Sequence, residues 1–381
     1  MQPFQFLYGP RLMCGEGASG RLAEWLPAGP VLFVSDAQVL ELGLADDALE
    51  GLRASDRAVV LFSAVEPDPS RSTLEAAVEA GRAAGVASVV GFGGGSPMDV
   101  AKLAAYLLGS GDDLDDIWGV GKAIGAGLPL LLVPTTAGTG SEATPVAIIT
   151  LPDDEKRGVS SGALIAGHAV LDPALTTGLP PSITAATGMD AMVHAIEAYT
   201  STHLKNPVSD MLARQALELL AAWFLTACTE PSNVEARAAM LLGAHLAGVA
   251  FSNAPVAGVH ALAYPLGSRF HVPHGLSNVL MLRHVLAHNM EAAMPLYAEL
   301  GPIVDPSLGG LGRQAQASGL VEALRSMSIA AGMPQHLRDV GVGVQDLDQL
   351  ATDAMLQERL LRNNPAPILW QDARRLYEAA L

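Results

Sequence analysis

The residue pattern of the chain changes near residue 180, and this change constrains the fold more than any other feature. Before it, short runs of Val, Ile and Leu alternate with helical patterns and Gly-rich turns, whereas long Ala- and Leu-rich segments dominate after it. Pro180 and Pro181 interrupt any element that would continue across the change. A chain of 381 residues is also too long for one ordinary compact domain. We therefore predict two domains, residues 1–178 and residues 179–381.

Four short apolar runs in the N-terminal half are typical of buried parallel strands. They cover residues 31–34, 58–62, 87–92 and 128–133, and helical patterns such as residues 71–84 separate most of them. The alternation of strand and helix predicts an α/β domain with a parallel sheet that is covered on both faces. Ligands of such sheets bind beyond the carboxyl ends of the strands.

A glycine-rich turn follows the third of these strands. The segment reads GFGGGSPMDVAK, and its three consecutive glycines allow the backbone to approach a ligand closely. Their N–H groups and the hydroxyl of Ser96 suit a phosphate, and the N-terminus of the following helix adds a favourable dipole. The pattern is equally compatible with a tight turn that binds nothing, and it matches neither GxGxxG nor a Walker A sequence.

Further polar groups follow other strands of this half. Asp36, after the first strand, is a candidate to bind the ribose hydroxyls of NAD and to repel the 2′-phosphate of NADP, or else it caps a helix. The loop PTTAGTGSE follows the fourth strand, and its hydroxyls suit a nicotinamide or a diphosphate, although a polar turn has the same composition. Residues 156–158 are predicted as a turn, in which Lys156 either reaches a phosphate or is solvated.

Most of the C-terminal half is helical in pattern. The predicted helices cover residues 182–200, 207–225, 233–250, 320–331, 344–355 and 371–381.

One of these helices carries a candidate metal site. Asp190 and His194 are four residues apart, so a carboxylate and an imidazole lie on the same helical face. The pair alone fits an ordinary Asp–His hydrogen bond as well as half of a metal site. His260 and His274 follow in segments that Gly and Pro interrupt, and His274 is placed at a loop or at the start of a helix. One carboxylate and three imidazoles form a suitable shell for Fe²⁺ or Zn²⁺.

Composition argues against several classes of partner. The formal net charge of −17 disfavours nucleic acid and anionic membranes. No run approaches the roughly 18 continuous apolar residues of a membrane span, and the N-terminus lacks the pattern of a secretory signal. Cys14 and Cys228 are too far apart in the sequence to suggest a disulfide framework. We therefore expect a cytoplasmic protein that acts on a small molecule.

Four segments together resemble the iron-containing (group III) alcohol dehydrogenases, in order and spacing, over nearly the whole chain. They are GGGSPMDVAK, PTTAGTGSE, the LDP…TGMDAMVHAIEAY stretch and the GVHALAYPLG…VPHG stretch. The resemblance implies a Rossmann-like N-terminal domain, an all-helical C-terminal domain, the architecture of dehydroquinate synthase, and a cleft between the domains. It implies a metal-dependent NAD(H) oxidoreductase that interconverts a small alcohol and its aldehyde or ketone, assembled as a homodimer or a larger homo-oligomer.

The resemblance also assigns roles to residues. It implies that the metal ligands are Asp190, His194, His260 and His274, with Fe²⁺ as the metal and Zn²⁺ as the alternative. It implies that NAD is bound by Asp36, Gly93, Gly94, Gly95, Ser96, Asp99, Thr135, Thr136, Thr139 and Lys156.

One position departs from the family pattern. Many members carry a second histidine four residues after the third ligand, where it is associated with a proton relay, and this chain has Tyr264 there. A phenol also passes a proton, but its pKa is about 10. We take Tyr264 and His271 as the candidates for the relay. The departure leaves two related activities open, a hydroxyacid–oxoacid transhydrogenase and a maleylacetate reductase. A lyase similar to dehydroquinate synthase has less support because basic residues are scarce around these motifs.

Overall fold

The computed structural model describes residues 3–152 and 155–381, and these residues form two compact units. The first unit is Leu7–Thr177. The second unit is Gly178–Leu381 together with the N-terminal segment that ends at Phe6.

The first unit contains nine strands and four α-helices within its described residues. The strands are β1 (Arg11–Cys14), β2 (Val31–Val34), β3 (Val59–Phe62), β4 (Ser88–Gly93), β5 (Gly119–Val120), β6 (Leu130–Pro134), β7 (Val146–Thr150), β8 (Lys156–Ser160) and β9 (His168–Leu171). The helices are α1 (Ala37–Glu41), α2 (Asp46–Ala54), α3 (Arg71–Ala83) and α4 (Gly95–Ser110).

A parallel six-stranded sheet with the order β1-β9-β6-β4-β2-β3 forms the centre of the first unit. The predicted parallel sheet is confirmed, and the four predicted strands are β2, β3, β4 and β6. Successive side chains of β2 enter different apolar clusters, because they point to opposite faces. Leu32 packs with Leu74 of α3, whereas Phe33 packs with Leu52 of α2. Covered faces of this kind explain why β2, β4 and β6 are buried throughout and apolar in sequence.

A second sheet of three strands, in the order β5-β8-β7, corrects one prediction. Residues 156–158 were predicted as a turn, and this is wrong, because they begin β8. Antiparallel pairing with β7 continues to Lys156, which lies opposite Thr150. The charged residues Lys156 and Arg157 hid the strand, since only Val159 of β8 is fully buried.

The second unit is built from ten α-helices within its described residues. They are α5 (Pro181–Thr200), α6 (Pro207–Thr229), α7 (Val234–Asn253), α8 (Gly258–Phe270), α9 (His274–His288), α10 (Met290–Val304), α11 (Arg313–Ala330), α12 (Leu347–Met355), α13 (Glu358–Leu361) and α14 (Trp370–Ala380). The predicted all-helical C-terminal region is confirmed. Side chains cap the starts of two of these helices, as at Asn206, whose side chain accepts hydrogen bonds from the N–H groups of Val208 and Ser209.

Helices α6 and α7 are long and apolar enough to cross a membrane by length and composition, with mean hydropathies of 1.2 and 1.3. Of their apolar windows, 39% and 61% are buried inside the protein. Both pack against each other and against α5. A core helix of a soluble protein passes the same test, so the observation is weak evidence for a membrane span.

Candidate functional site

Four side chains from three helices of the second unit converge. Asp190 and His194 lie on α5, His260 lies on α8, and His274 is the first residue of α9. One ligand atom from each residue lies within 4.8 Å of those of the other three. Asp190 Oδ1 is 3.8, 3.7 and 3.6 Å from the Nε2 atoms of His194, His260 and His274 respectively. The structure thus brings together the four residues that the sequence singled out.

These spacings fit a shared divalent cation. A cation such as Zn²⁺ binds nitrogen and oxygen ligands at about 2.1 Å, and four ligands at that radius stand roughly 3.4 Å apart in a tetrahedron. The distances from Asp190 Oδ1 are slightly longer than this and exceed the length of a hydrogen bond. Fe²⁺ takes the same ligand types. The residues present therefore fit the metal that the resemblance implies.

The cluster is buried on one side and accessible on the other. Asp190, His194 and His260 are each less than 5% exposed, whereas the side chain of His274 is 43% exposed. Burial by itself raises the pKa of the Asp190 carboxyl, but the three facing imidazoles and the amide of Asn278 outweigh it and lower the pKa. Asp190 is therefore held as a carboxylate, the form that binds a metal.

A second carboxylate, Glu197, orients His260, and the sequence reasoning missed it. Its Oε2 accepts a hydrogen bond from His260 Nδ1 at 2.6 Å. The two oxygens also accept from the N–H groups of Ala257 and Val259, at 2.9 and 2.7 Å. Burial acts to lower the pKa of His260, and the facing Glu197 carboxylate raises it above its usual range. The signal was present in the sequence, because Glu197 follows His194 by three residues and shares its helical face.

Asn278 is a second neighbour that the sequence reasoning missed. Its Nδ2 donates to Asp190 Oδ1 at 2.6 Å and lies 3.2 and 3.4 Å from Nε2 of His260 and His274. It follows His274 by four residues on α9, so the two side chains share a face. The amide thus connects three of the four candidate ligands.

Two aromatic rings border the cluster. Phe251 of α7 stacks on His194 with a centroid separation of 4.4 Å. Tyr264 lies 5.6 Å from His274 and 6.3 Å from His260, measured between ring centroids. The structure therefore places Tyr264 beside the cluster. His271 is exposed and ends α8 in the left-handed conformation, with φ of 53°.

In the first unit, the polar groups predicted for NAD lie where the strand order reverses. The chain leaves β2 towards β3 on one side and leaves β4 towards β6 on the other, and ligands of open α/β sheets bind at such points. Asp36 follows β2 and Gly93 ends β4. A Cβ built on Gly93 would lie 3.2 Å from Asp36 Oδ2 and 2.8 Å from Pro97 Cγ, and φ is +148°. Only glycine fits here, and it brings Asp36 next to the glycine-rich turn.

The loop after β6 faces the same glycines. A Cβ on Gly94 would lie 3.9 Å from Thr136 Oγ1, and one on Gly95 would lie 3.3 Å from Thr139 Cγ2. Thr135 is buried and donates its N–H to the carbonyl of Gly93. The two loops that the sequence singled out therefore meet, with Ser96 in the first turn of α4.

Asp99 and Lys102 of α4 form a polar network that connects these loops. Asp99 accepts from Ser141 Oγ at 2.7 Å and from the N–H of Ile148 at 3.0 Å. Lys102 is fully buried, and its Nζ donates to Ser141 Oγ at 2.7 Å and lies 3.4 Å from Asp99 Oδ1. Burial lowers the pKa of Lys102, opposed by the charges of Asp99 and Glu142. Both oxygens of Asp99 are thus engaged by the unit itself.

Two of the residues predicted to bind NAD, Asp36 and Lys156, have side-chain contacts with other residues of the first unit. Asp36 Oδ1 accepts from the N–H of Val39 at 2.8 Å and caps α1, which was the alternative assigned to it. Lys156 Nζ lies 2.6 Å from Asp68 Oδ1, and the two side chains are 43% and 67% exposed.

Known proteins share both sequence and fold with this chain. Residues 9–173 match the family described as iron-containing alcohol dehydrogenase, and residues 184–381 match its C-terminal family. Long-chain-alcohol dehydrogenase 1 of Geobacillus thermodenitrificans is 38% identical over 100% of this chain and 97% of its own. The crystal structure of a 1,3-propanediol oxidoreductase superposes with a TM-score of 0.96 at 32% identity, and covers both chains fully. Sulfoacetaldehyde reductase from Bifidobacterium kashiwanohense, solved in complex with NAD⁺, has a TM-score of 0.87 at 28% identity and covers 100% of this chain and 99% of its own.

Proposed function

This chain belongs to the iron-containing alcohol dehydrogenase family, as its motifs predicted, and from that premise we propose that it interconverts a small alcohol and its aldehyde or ketone with NAD(H). The observation that carries the proposal is the convergence of one carboxylate and three imidazoles within 4.8 Å. The names of its relatives, which include alcohol and propanediol dehydrogenases, support the substrate class.

In this proposal Asp190, His194, His260 and His274 hold Fe²⁺, or alternatively Zn²⁺. When bound, the metal supplies a Lewis acid for the substrate oxygen and NAD supplies the hydride carrier. The buried residues of the cluster fix the donor atoms, and the exposure of His274 leaves that side open to substrate.

The proton of the alcohol leaves through side chains at the open side. Tyr264 lies beside His274, and we assign the transfer to its phenol, with His271 at the end of α8 as the group that passes the proton on. The reaction at Tyr264 is general acid–base catalysis, which requires a donor within hydrogen-bond reach of the substrate oxygen.

NAD is assigned to the first unit. Gly93, Gly94, Gly95 and Ser96 bind the diphosphate, and Asp36 binds the ribose hydroxyls. Thr135, Thr136, Thr139, Lys156 and Asp99 belong to the same site in this proposal. The meeting of Asp36 with the glycine-rich turn supports a preference for NAD over NADP.

We also propose a cytoplasmic location, which agrees with the two free cysteines. We further expect a homodimer or a larger homo-oligomer, and light scattering on the purified protein measures this directly.

Metal content and turnover test the proposal together. Protein purified without oxygen is analysed for bound metals and assayed for NADH formation with a panel of alcohols. His274→Ala is expected to lose metal and turnover while remaining folded. His288→Ala is the matched control, because it removes the same residue type from the far end of the same helix. Full turnover by metal-free protein or by His274→Ala overturns the proposal.

A further inference from the structure

We propose that Glu197 is a positioning residue that sets the metal affinity of the site, by holding His260 in the tautomer whose Nε2 presents a lone pair. The inference rests on the proposed function, because it takes His260 as a metal ligand. It adds a residue that does not touch the metal.

The contacts of Glu197 fix the position of the proton on His260. The Glu197 carboxylate only accepts, so the 2.6 Å contact with His260 Nδ1 requires the hydrogen on Nδ1. In the neutral imidazole, which is the form that binds a metal, the other ring nitrogen is then left as an acceptor. That nitrogen, Nε2, is the atom that lies 3.7 Å from Asp190 Oδ1. Asn278 Nδ2 lies 3.2 Å from the same Nε2, which is consistent with an acceptor there.

The same carboxylate fixes the position of the ring. It accepts from the N–H groups of Ala257 and Val259, at the start of α8, and is itself 3% exposed. Because Glu197 lies on α5 with Asp190 and His194, one side chain ties the helix that bears two candidate ligands to the start of the helix that bears the third.

A glutamine at this position changes the hydrogen bonds that select the tautomer and leaves no cavity. It keeps the size of the side chain but has one acceptor oxygen, whereas Glu197 receives donors on both oxygens. When the amide oxygen keeps Val259, its NH₂ group faces the N–H of Ala257 and the ring of His260. His260 Nδ1 can then accept only after the proton has moved to Nε2. A proton on Nε2 excludes the cation from that atom.

The experiment compares Glu197→Gln with Asp172→Asn. Asp172 is a matched control, since it is a buried carboxylate that accepts three hydrogen bonds, from Ser19 N, Ser19 Oγ and Ala174 N, within the first unit. Affinities for Zn²⁺ and Co²⁺ are measured by competition with a chromophoric chelator, and NADH binding is measured by fluorescence. We expect metal binding by Glu197→Gln to be about 10- to 100-fold weaker, which is the typical effect of losing such a partner. NADH binding in that variant and metal binding in Asp172→Asn should stay within about twofold of the wild type.

A second measurement uses the wild type alone and is independent of whether the variant folds. In the Zn²⁺-loaded protein, the Nδ1–H of His260 should exchange with water more slowly than the ring N–H of the exposed His274, as followed by NMR of ¹⁵N-histidine-labelled protein. Unchanged metal affinity in Glu197→Gln, or fast exchange at His260, overturns the inference. Failure of the wild type to bind either metal overturns the proposed function instead.

Discussion

Gly275 offers a sharp test of how the helices that carry the proposed metal ligands are held together. It is the second residue of α9 and directly follows His274. A Cβ built on Gly275 would lie 2.1 Å from the carbonyl oxygen of Ala186 and 3.3 Å from Asp190 Cβ, both on α5. An ordinary contact begins at 3.4 Å, so Gly275→Ala must separate the two backbones by about 1.3 Å (3.4 − 2.1 Å).

This displacement is large on the scale of metal coordination. Metal–ligand distances tolerate deviations of only about 0.2 Å, and the two helices carry His274 on one side and Asp190 with His194 on the other. We therefore expect Gly275→Ala to weaken metal binding by at least about 100-fold. Overpacking of this kind also lowers the free energy of unfolding by about 1–3 kcal/mol.

Chelator competition and urea unfolding measure the two effects. Gly267→Ala is the control, because it lies on α8 with His260 and its Cβ would meet only the carbonyl of Val272 at 3.6 Å. That variant should bind metal normally and should be no less stable than the wild type, since alanine favours a helix over glycine. Metal affinity in Gly275→Ala within threefold of the wild type would refute the reasoning.

Three further predictions concern single side chains. Tyr264→Phe keeps the ring beside the cluster and removes its hydroxyl, so kcat should fall on the order of 100-fold. The pH profile of kcat should change while the metal content stays the same. An unaltered pH profile counts against the relay. Lys102→Met leaves Asp99 without its buried cation, so the free energy of unfolding in urea should fall by about 3 kcal/mol. NADH titration should show a weaker affinity in the same variant, and an unchanged affinity contradicts the role of this network. Burial and the neighbouring charges of Arg283 and His336 lower the pKa of His284 to about 4; the unfolded chain then binds more protons between pH 6.5 and 4, so stability should fall with acidification in that window by roughly 2 kcal/mol. His284→Gln should flatten this loss, as measured by unfolding at each pH, and an equal loss in the variant refutes the assignment.

The sequence predicted those parts of the molecule that depend on local pattern. Apolar runs such as residues 31–34 identify central strands because both faces of the sheet are covered. The four-residue spacing of Asp190 and His194 identifies one face of a helix. The helix start at His274 follows from the proline before it.

Groups that act through distant partners could not be predicted in this way. Glu197 bonds with residues at least sixty positions further along the chain, and no local pattern encodes such a pairing. Lys102 lies in an apolar helix, and two of its partners, Ser141 and Thr144, follow it by about forty residues. The turn expected at residues 156–158 was wrong because charged side chains concealed a strand whose pairing comes from β7.

The two contacts of Asp36 bear on the redesign of coenzyme preference. One oxygen of its carboxylate caps α1 through Val39, and the other borders Gly93. In the proposed NAD site, replacing it by alanine would remove the charge that opposes a 2′-phosphate. The same change would uncap the helix, at a cost of about 1 kcal/mol. Serine removes the charge but retains a capping oxygen. An engineered enzyme that accepts NADP should therefore be sought first with Asp36→Ser. This variant keeps the helix cap and lacks the charge that opposes the 2′-phosphate.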